Sequence, residues 1–365
     1  MRVLCVSSVL PRRCGIAHFN GSLIAELGSL GIDMRVLPVD DYSDRRAGAI
    51  RRHVKSDYRD EASRLGNVDL ILLQHEYGLF GGPAGSYLLE FLRNVRMPVV
   101  TVFHTVLPHP EPAVWEVTKS LLRVSRRIVV MCETGADLIA SVYRHDRSSV
   151  DVIPHGYPQL SREWIPPAIR ALTPGAPVLL SLGLIGPNKG IELGLEALPL
   201  ILKASPKAHY FVVGSTHPAE LRGSDDPYRA FLERMVKERG VSKAVTFLDR
   251  YTELADHVGW IQHADVVILA HRDLRQVSSG TLAYAIGCRR PVVASRFAYA
   301  SDVARAGAGV VLADLDARSI AKAVTSVLCN VSLQSTLAHR SNAFAMRTTW
   351  PVVARQYARM LAHAR

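Results

Sequence analysis

The chain has 365 residues, 48% of them apolar, and carries 44 Lys and Arg against 33 Asp and Glu, a formal charge of +11. That length suits two domains, and the absence of any run of about 20 apolar residues argues against a membrane-spanning helix. The charge excess sits in the second half: residues 1–157 hold 19 basic and 17 acidic side chains, residues 158–365 hold 25 and 16. A basic half suits a polyanionic ligand or an anionic membrane surface. Nucleic acid is not indicated, because the basic residues are dispersed and not interleaved with aromatics. Cys5, Cys14, Cys132, Cys288 and Cys329 are scattered with no CxxC spacing, which predicts free thiols in a reducing compartment and no zinc site. MRVLCVSSVL lacks the basic start and cleavage site of a signal peptide and reads as a first strand.

In chain order, Val3–Val9 is an apolar strand, and a helical pattern runs through Phe19, Leu23, Ile24 and Leu27. Gly31 to Pro38 is a second strand. The unit resembles half a dinucleotide fold but lacks GxGxxG, so no dinucleotide is implied. Gly15, in the loop between strand and helix, either admits a ligand to the backbone or serves a turn. Asp41 to Asp60, with Arg45, Arg46, Arg51, Arg52 and Lys55, reads as a solvated helix face. Strands follow at Val68–Gln74, Pro98–Phe103, Ile128–Met131 and Val150–Pro154. The first two end in His75-Glu76 and His104-Thr105, and strand ends are where α/β folds bind ligands. A Gly81-Gly82 loop follows the first of them.

Tyr157 to Ala176 carries Pro158, Pro166, Pro167 and Pro174 and reads as a linker. The alternation then restarts. Strands are predicted at Val178–Leu184, His209–Gly214, Ala244–Leu248, Ala264–Leu269, Pro291–Ser295 and Gly309–Leu312, with helices between them and from Ala317 onward. Such alternation in both halves predicts two doubly wound α/β domains facing across a cleft. Domain bounds of 1–157 and 176–349 are expected, with helix 350–365 returning to the first domain.

Two loops of the second half can hold an anion. Lys189, between Gly186 and Gly190, offers a charge beside backbone that a ligand can approach. Ser278-Ser279-Gly280-Thr281 opens an Ala-rich helix, so its amides and the helix dipole favour phosphate; a simple cap is the plainer reading. Together the loops fit a diphosphate. GxxxxGK[ST] is absent, so nucleoside triphosphate hydrolysis is not indicated.

The motif order resembles the retaining glycosyltransferases of the GT-B fold, the large bacterial family-four group. The matching pieces are Cys14-Gly-Ile-Ala, Asp69 to Gly82, Val102-Phe-His-Thr, Val152-Ile-Pro-His-Gly, Ser181-Leu-Gly-Leu with Lys189-Gly190, Val213-Gly-Ser-Thr-His-Pro, Gln276 to Ala285, and Pro291-Val-Val-Ala-Ser. The usual pair of Glu falls on Gln276 and Tyr284, and the usual Arg of the first loop on Leu184. The chain instead resembles a subgroup reading Asp-x-x-Gln, then Ser-Gly-Thr-Leu-x-Tyr-Ala.

The resemblance implies transfer of a sugar, with retention, from a UDP- or GDP-sugar to a saccharide or lipid-linked acceptor in bacterial polysaccharide synthesis. It implies no cofactor and no metal. His104, Lys189 and Gln276 would act on the reacting groups. Gly15, Gly183, Lys189, Asp273, Ser278, Ser279, Gly280 and Thr281 would bind donor, and His75, Glu76, Gly81 and Gly82 would line the acceptor side. A cytoplasmic location is expected, with peripheral contact at the inner face of an anionic membrane. Loss of the Glu pair leaves a non-catalytic nucleotide-sugar-binding or partner subunit as the alternative. A sugar epimerase or phosphorylase on the same fold is disfavoured, since no pyridoxal-phosphate lysine pattern is present.

Overall fold

The computed structural model describes residues 1–42, 44, 47–161 and 163–365. They form two units, one comprising Met1–Gly156, Arg275–Ser278 and Trp350–Arg365, the other Tyr157–Leu274 and Ser279–Thr349. Arg45 and Arg46 of the charged stretch lie outside the described residues.

The first unit is built on seven strands: β1 (Arg2–Ser7), β2 (Asp33–Asp40), β3 (Ile50–Arg51), β4 (Leu70–His75), β5 (Val99–Phe103), β6 (Ser125–Val130) and β7 (Val150–Val152). Their order in the sheet is β3-β2-β1-β4-β5-β6-β7, and every pairing is parallel. β4 and β5 are buried along their whole length, as β-branched and Leu-rich runs must be when helices cover both faces. The charged stretch is not simply a solvated helix face. Ile50–Arg51 pairs with Val39–Asp40 at the sheet edge, and a helix spans only Lys55–Ala62. Asp57 is buried there because Arg51 neutralises it, with Nε donating at 2.7 Å and Nη2 at 2.9 Å.

The second unit repeats the plan with six strands: β8 (Val178–Leu182), β9 (His209–Val213), β10 (Val245–Leu248), β11 (Val266–Leu269), β12 (Val292–Ala294) and β13 (Val310–Val311). The order is β10-β9-β8-β11-β12-β13, again all parallel. Two doubly wound sheets are what the alternation predicts. The order reverses between β1 and β4 in one unit and between β8 and β11 in the other, and loops at the carboxyl ends of such strand pairs form natural crevices.

Glycine notches fasten the chain's excursions. The ring of Tyr157 occupies the space beside Gly287, where an added Cβ would stand 2.3 Å from it, and Trp164 sits likewise 2.3 Å over Gly259. Gln262 Nε2 donates to the Leu160 carbonyl at 2.9 Å. The proline-rich stretch is therefore pinned onto the second unit by side chains seated in its helices. The last helix, Trp350–Ala364, belongs to the first unit. Its buried stripe, Trp350, Val353, Ala354, Tyr357 and Leu361, recurs at helical spacing and packs with Val3, Phe19, Leu23 and Leu27. Trp350 covers Gly156 and meets Phe19 edge-on with ring centroids 5.1 Å apart.

Among the described residues no helix is long and apolar enough to cross a membrane, and no cluster of three or more His, Cys, Asp or Glu could hold a metal ion. All five cysteines are free thiols.

Trp350 is 3% exposed, so Trp350→Ala is expected to lower the stability of the first unit by about 3–5 kcal/mol. The change should appear in denaturant titrations as an earlier transition whose far-UV signal loss includes the C-terminal helix. An unchanged midpoint would show that the helix is not a structural part of that unit.

Candidate functional site

In the second unit the loops after β8 and β11 meet at backbone level. The amide of Arg272 donates to the Asn188 carbonyl at 2.9 Å. A Cβ on Gly190 would stand 2.0 Å from the Ala270 carbonyl oxygen, and Gly190 has φ +59, so both contact and conformation require glycine. Gly190 also starts the helix Ile191–Ala204. Lys189 is half-buried just before it; its backbone amide donates to the Gly186 carbonyl at 2.9 Å, while its ammonium makes no hydrogen bond or ion pair with any described residue. Burial alone lowers its ammonium pKa to about 8. A desolvated cation without a carboxylate partner is a candidate for pairing with an anion.

The helix Gly280–Gly287 begins beside this loop. Ser279 caps it, its Oγ accepting from Leu282 N at 3.3 Å, and the Gly280 and Thr281 amides, at the helix start, have no intrahelical acceptor. Thr281 Oγ1 lies 3.8 Å from where a Cβ on Gly183 would be, and 3.5 Å from His257 Nε2. Gly183, with φ +124, lets the β8 loop run close under the helix tip. Gly183 thus approaches Thr281, and the Lys189 loop meets the loop that runs from Ala270 through Asp273, both at the carboxyl edge of one sheet.

Arg275–Ser278, which include Gln276 and Ser278, pack with the first unit. Ser278 Oγ donates to the His104 carbonyl at 2.9 Å, so its side chain fixes a loop and is not an anion ligand. Gln276 is half-buried and makes no hydrogen bond to a described residue.

In the first unit, Glu76 and His104 close β4 and β5. Glu76 accepts from Tyr77 N at 3.0 Å and from Thr105 Oγ1 at 2.5 Å, and burial raises its pKa. His104 is 6% exposed, its Nε2 2.8 Å from Gln74 Oε1. Burial lowers its pKa to about 3, so near neutrality its ring is uncharged. With the Gln74 carbonyl facing it, Nε2 carries the proton. His155 and His104 both stand edge-on to Phe19, at 5.0 and 5.1 Å. Gly15 opens the helix Gly15–Ser29 behind the Cys14 cap; nothing lies within 4 Å of an added Cβ, so packing does not demand glycine there.

Three acceptor-side expectations are corrected. His75 is wholly buried, walled by Tyr77, Phe80 and Phe103, with both ring nitrogens unbonded and a pKa near 3. Its side chain presents no exposed surface. Gly81 and Gly82 answer packing: a Cβ on Gly81 would stand 2.0 Å from the Arg52 carbonyl oxygen, and one on Gly82, at φ +78, would stand 2.5 Å from the Tyr87 ring.

Residues 176–330 match the family model described as Glycosyl transferases group 1. The match covers both loops of the second-unit cluster. Among solved structures, HepE of Anabaena in complex with UDP and glucose shares 16% identity over 100% of both chains, with a TM-score of 0.78. Sucrose-phosphate synthase from Thermosynechococcus elongatus shares 16% identity over 100% of this chain and 99% of its own, at 0.75. WaaG, a glycosyltransferase involved in lipopolysaccharide biosynthesis, shares 15% over 99% of each chain, at 0.68. These likenesses establish the fold, two parallel-sheet α/β units as in the GT-B glycosyltransferases. No curated protein matches the chain significantly.

Around the group 1 loops stand residues that motif reading passed over. Arg272 Nε donates to Glu192 Oε1 at 2.6 Å, and Tyr228 OH donates to Glu192 Oε2 at 2.5 Å. Glu192 is 8% exposed while the Arg272 side chain is half exposed, so a buried carboxylate orients a surface guanidinium over the Lys189 loop. His257 touches Thr281 and meets Tyr284 edge-on at 5.8 Å. Arg272 and Tyr284 lay in the patterned stretch and Glu192 just past Gly190, whereas Tyr228 and His257 come from distant helices.

The Lys189 ammonium is held against its own desolvation. Between pH 8 and its ordinary 10.5 the unfolded chain binds more protons at this residue than the folded one, so its contribution to stability rises with pH across that window. Lys189→Met is therefore expected to be about 1–3 kcal/mol more stable than the parent at pH 7. The gap should shrink toward pH 10 in paired urea titrations. A gap independent of pH would mean the ammonium is freely solvated.

Proposed function

We propose that the chain is a retaining, metal-independent glycosyltransferase that moves a sugar from a nucleotide-diphosphate sugar to a saccharide or lipid-linked acceptor, in bacterial polysaccharide synthesis. The observation that carries this reading is the desolvated, carboxylate-free Lys189 ammonium on a loop hydrogen-bonded to the one that leads to the Gly280 helix tip. UDP is the favoured nucleotide, because the structurally similar HepE is seen with UDP and glucose.

When the anomeric bond breaks, the sugar becomes oxocarbenium-like and negative charge builds on the diphosphate. Lys189 and the Gly280 and Thr281 amides would stabilise that charge, and they are held in place before the reaction begins. The Lys189 pKa near 8 keeps it mostly protonated at neutral pH, and a bound diphosphate raises it further. By the resemblance, the leaving phosphate itself takes the acceptor proton. Gln276 and Tyr284 in place of the Glu pair are then less damaging than in a glycosidase, which needs two carboxylates. Gln276 would hydrogen-bond donor hydroxyls. His104, uncharged and tied to Gln74, would meet the transferred sugar through hydrogen bonding without adding charge. Glu76 and Gly15 would act on the same unit's side of the reaction.

Tyr284, 6% exposed and carrying no carboxylate, favours a second reading, a nucleotide-sugar-binding subunit without catalysis.

Incubation with UDP-, GDP- and ADP-sugars is expected to give binding by calorimetry for one base and slow donor hydrolysis or transfer. Lys189→Ala should lower turnover by at least about 100-fold. Binding with turnover equal in parent and Lys189→Ala would support the non-catalytic reading. Failure to bind any nucleotide sugar would remove both.

A further inference from the structure

A groove of about 640 Å³ opens in the first unit between β6, β7 and the C-terminal helix. It is lined from the amino end of β6, by Arg126 and Arg127, whereas Glu76 and His104 stand at carboxyl ends of the same sheet. Its volume is in the range of small-molecule sites.

Its charges are unequal. Asp151 is the one carboxylate in the lining, and Arg127 consumes it, with Nη2 2.8 Å from Oδ1 and Nε 2.9 Å from Oδ2. The guanidinium groups of Arg126 and Arg359 make no hydrogen bond or ion pair with a described residue. His363 also lines the groove, its Nδ1 2.7 Å from the Arg359 carbonyl oxygen. The remaining wall is apolar, formed by Val152, Ile153 and Met360. Two unneutralised guanidinium groups at one opening repel each other unless an anion joins them, and a tetrahedral dianion can accept from both. The apolar wall gives a carbon body a place out of water.

We infer that this groove binds an organic phosphate ester, its phosphate between Arg126 and Arg359 and its apolar part on Ile153 and Met360. The ester is either a free metabolite or a phospholipid headgroup, since both present the same chemistry. The site is independent of the Lys189 cluster.

Calorimetry on the full chain, in the parent and in Lys189→Met so that the other anion site is removed, tests this with three probes. These are inorganic phosphate, hexyl phosphate, and dihexanoyl phosphatidic acid below its micelle concentration. The esters are expected to bind at least about tenfold more tightly than inorganic phosphate, equally in both backgrounds, and to lose about tenfold or more on Arg126→Glu with Arg359→Glu. Arg355→Glu, an exposed change on the same helix but outside the groove lining, should leave binding unchanged. Preference for hexyl phosphate names a soluble metabolite as the source, and preference for phosphatidic acid a lipid headgroup. Thermal melts confirm that the double variant folds; if it does not, Arg359→Gln alone carries the test. Equal affinity for inorganic phosphate, retention in the arginine variants, or binding only to phosphatidylglycerol vesicles with no monomer binding would overturn the inference.

Discussion

The second unit turns on two backbone segments pressed together at the point where its strand order reverses. The Gly190 position leaves no room for a side chain against the Ala270 carbonyl, and the Arg272 amide closes onto Asn188. That contact decides where Lys189 stands. A lysine on a free loop would be an ordinary solvated cation. Here its charge is half withdrawn from water with nothing opposite, a strained electrostatic state that an anion relieves. The neighbouring helix tip supplies amides without charge, and Glu192 steadies Arg272 without consuming its whole donor set. Donors held in place in this way would stabilise developing negative charge at little reorganisation cost, the role proposed for them.

The first unit shows the opposite use of burial. His75, His104 and His155 are all enclosed and all shifted well below the usual histidine range by desolvation. They gather around aromatic rings, with Phe19 shared by His104, His155 and Trp350. Trp350 belongs to the final helix, so the last turns of the chain finish the packing around the first unit's histidines. A neutral imidazole there is a shaped hydrogen-bonding group. It brings direction to its surroundings and no charge. In the same unit Arg126, on β6, and Arg359, on the last helix, line one groove without an ion pair to a described residue.

Much of the architecture could be read before any coordinates. Continuous Val, Ile and Leu runs bounded by loop residues mark parallel strands, and helical spacing between them marks the crossovers, so two doubly wound units follow from local pattern. The short edge strand Ile50–Arg51 escaped because two residues have no periodicity, and because the charge around them is neutralised only by the fold, through Arg51 and Asp57. The glycine loop at Lys189 and the helix start at Ser279–Thr281 were legible because glycine loops and helix caps have local signatures. His75 was misleading for the same reason: a histidine at a strand end looks the same in sequence whether it faces solvent or a wall of aromatic rings.

The sequence by itself determined the strands, the crossovers and the two turns at Lys189 and Ser279, since each depends on side chains within a few residues of one another. Only the tertiary structure decided that the turns after β8 and β11 touch, that Ser278 serves His104 and Gln276 joins the first unit, and that the glycines at 81 and 82 make room for Arg52 and Tyr87. Contacts between residues tens of positions apart are set by which strands become neighbours and how far each group is withdrawn from water. Neither quantity is carried by any short stretch of chain.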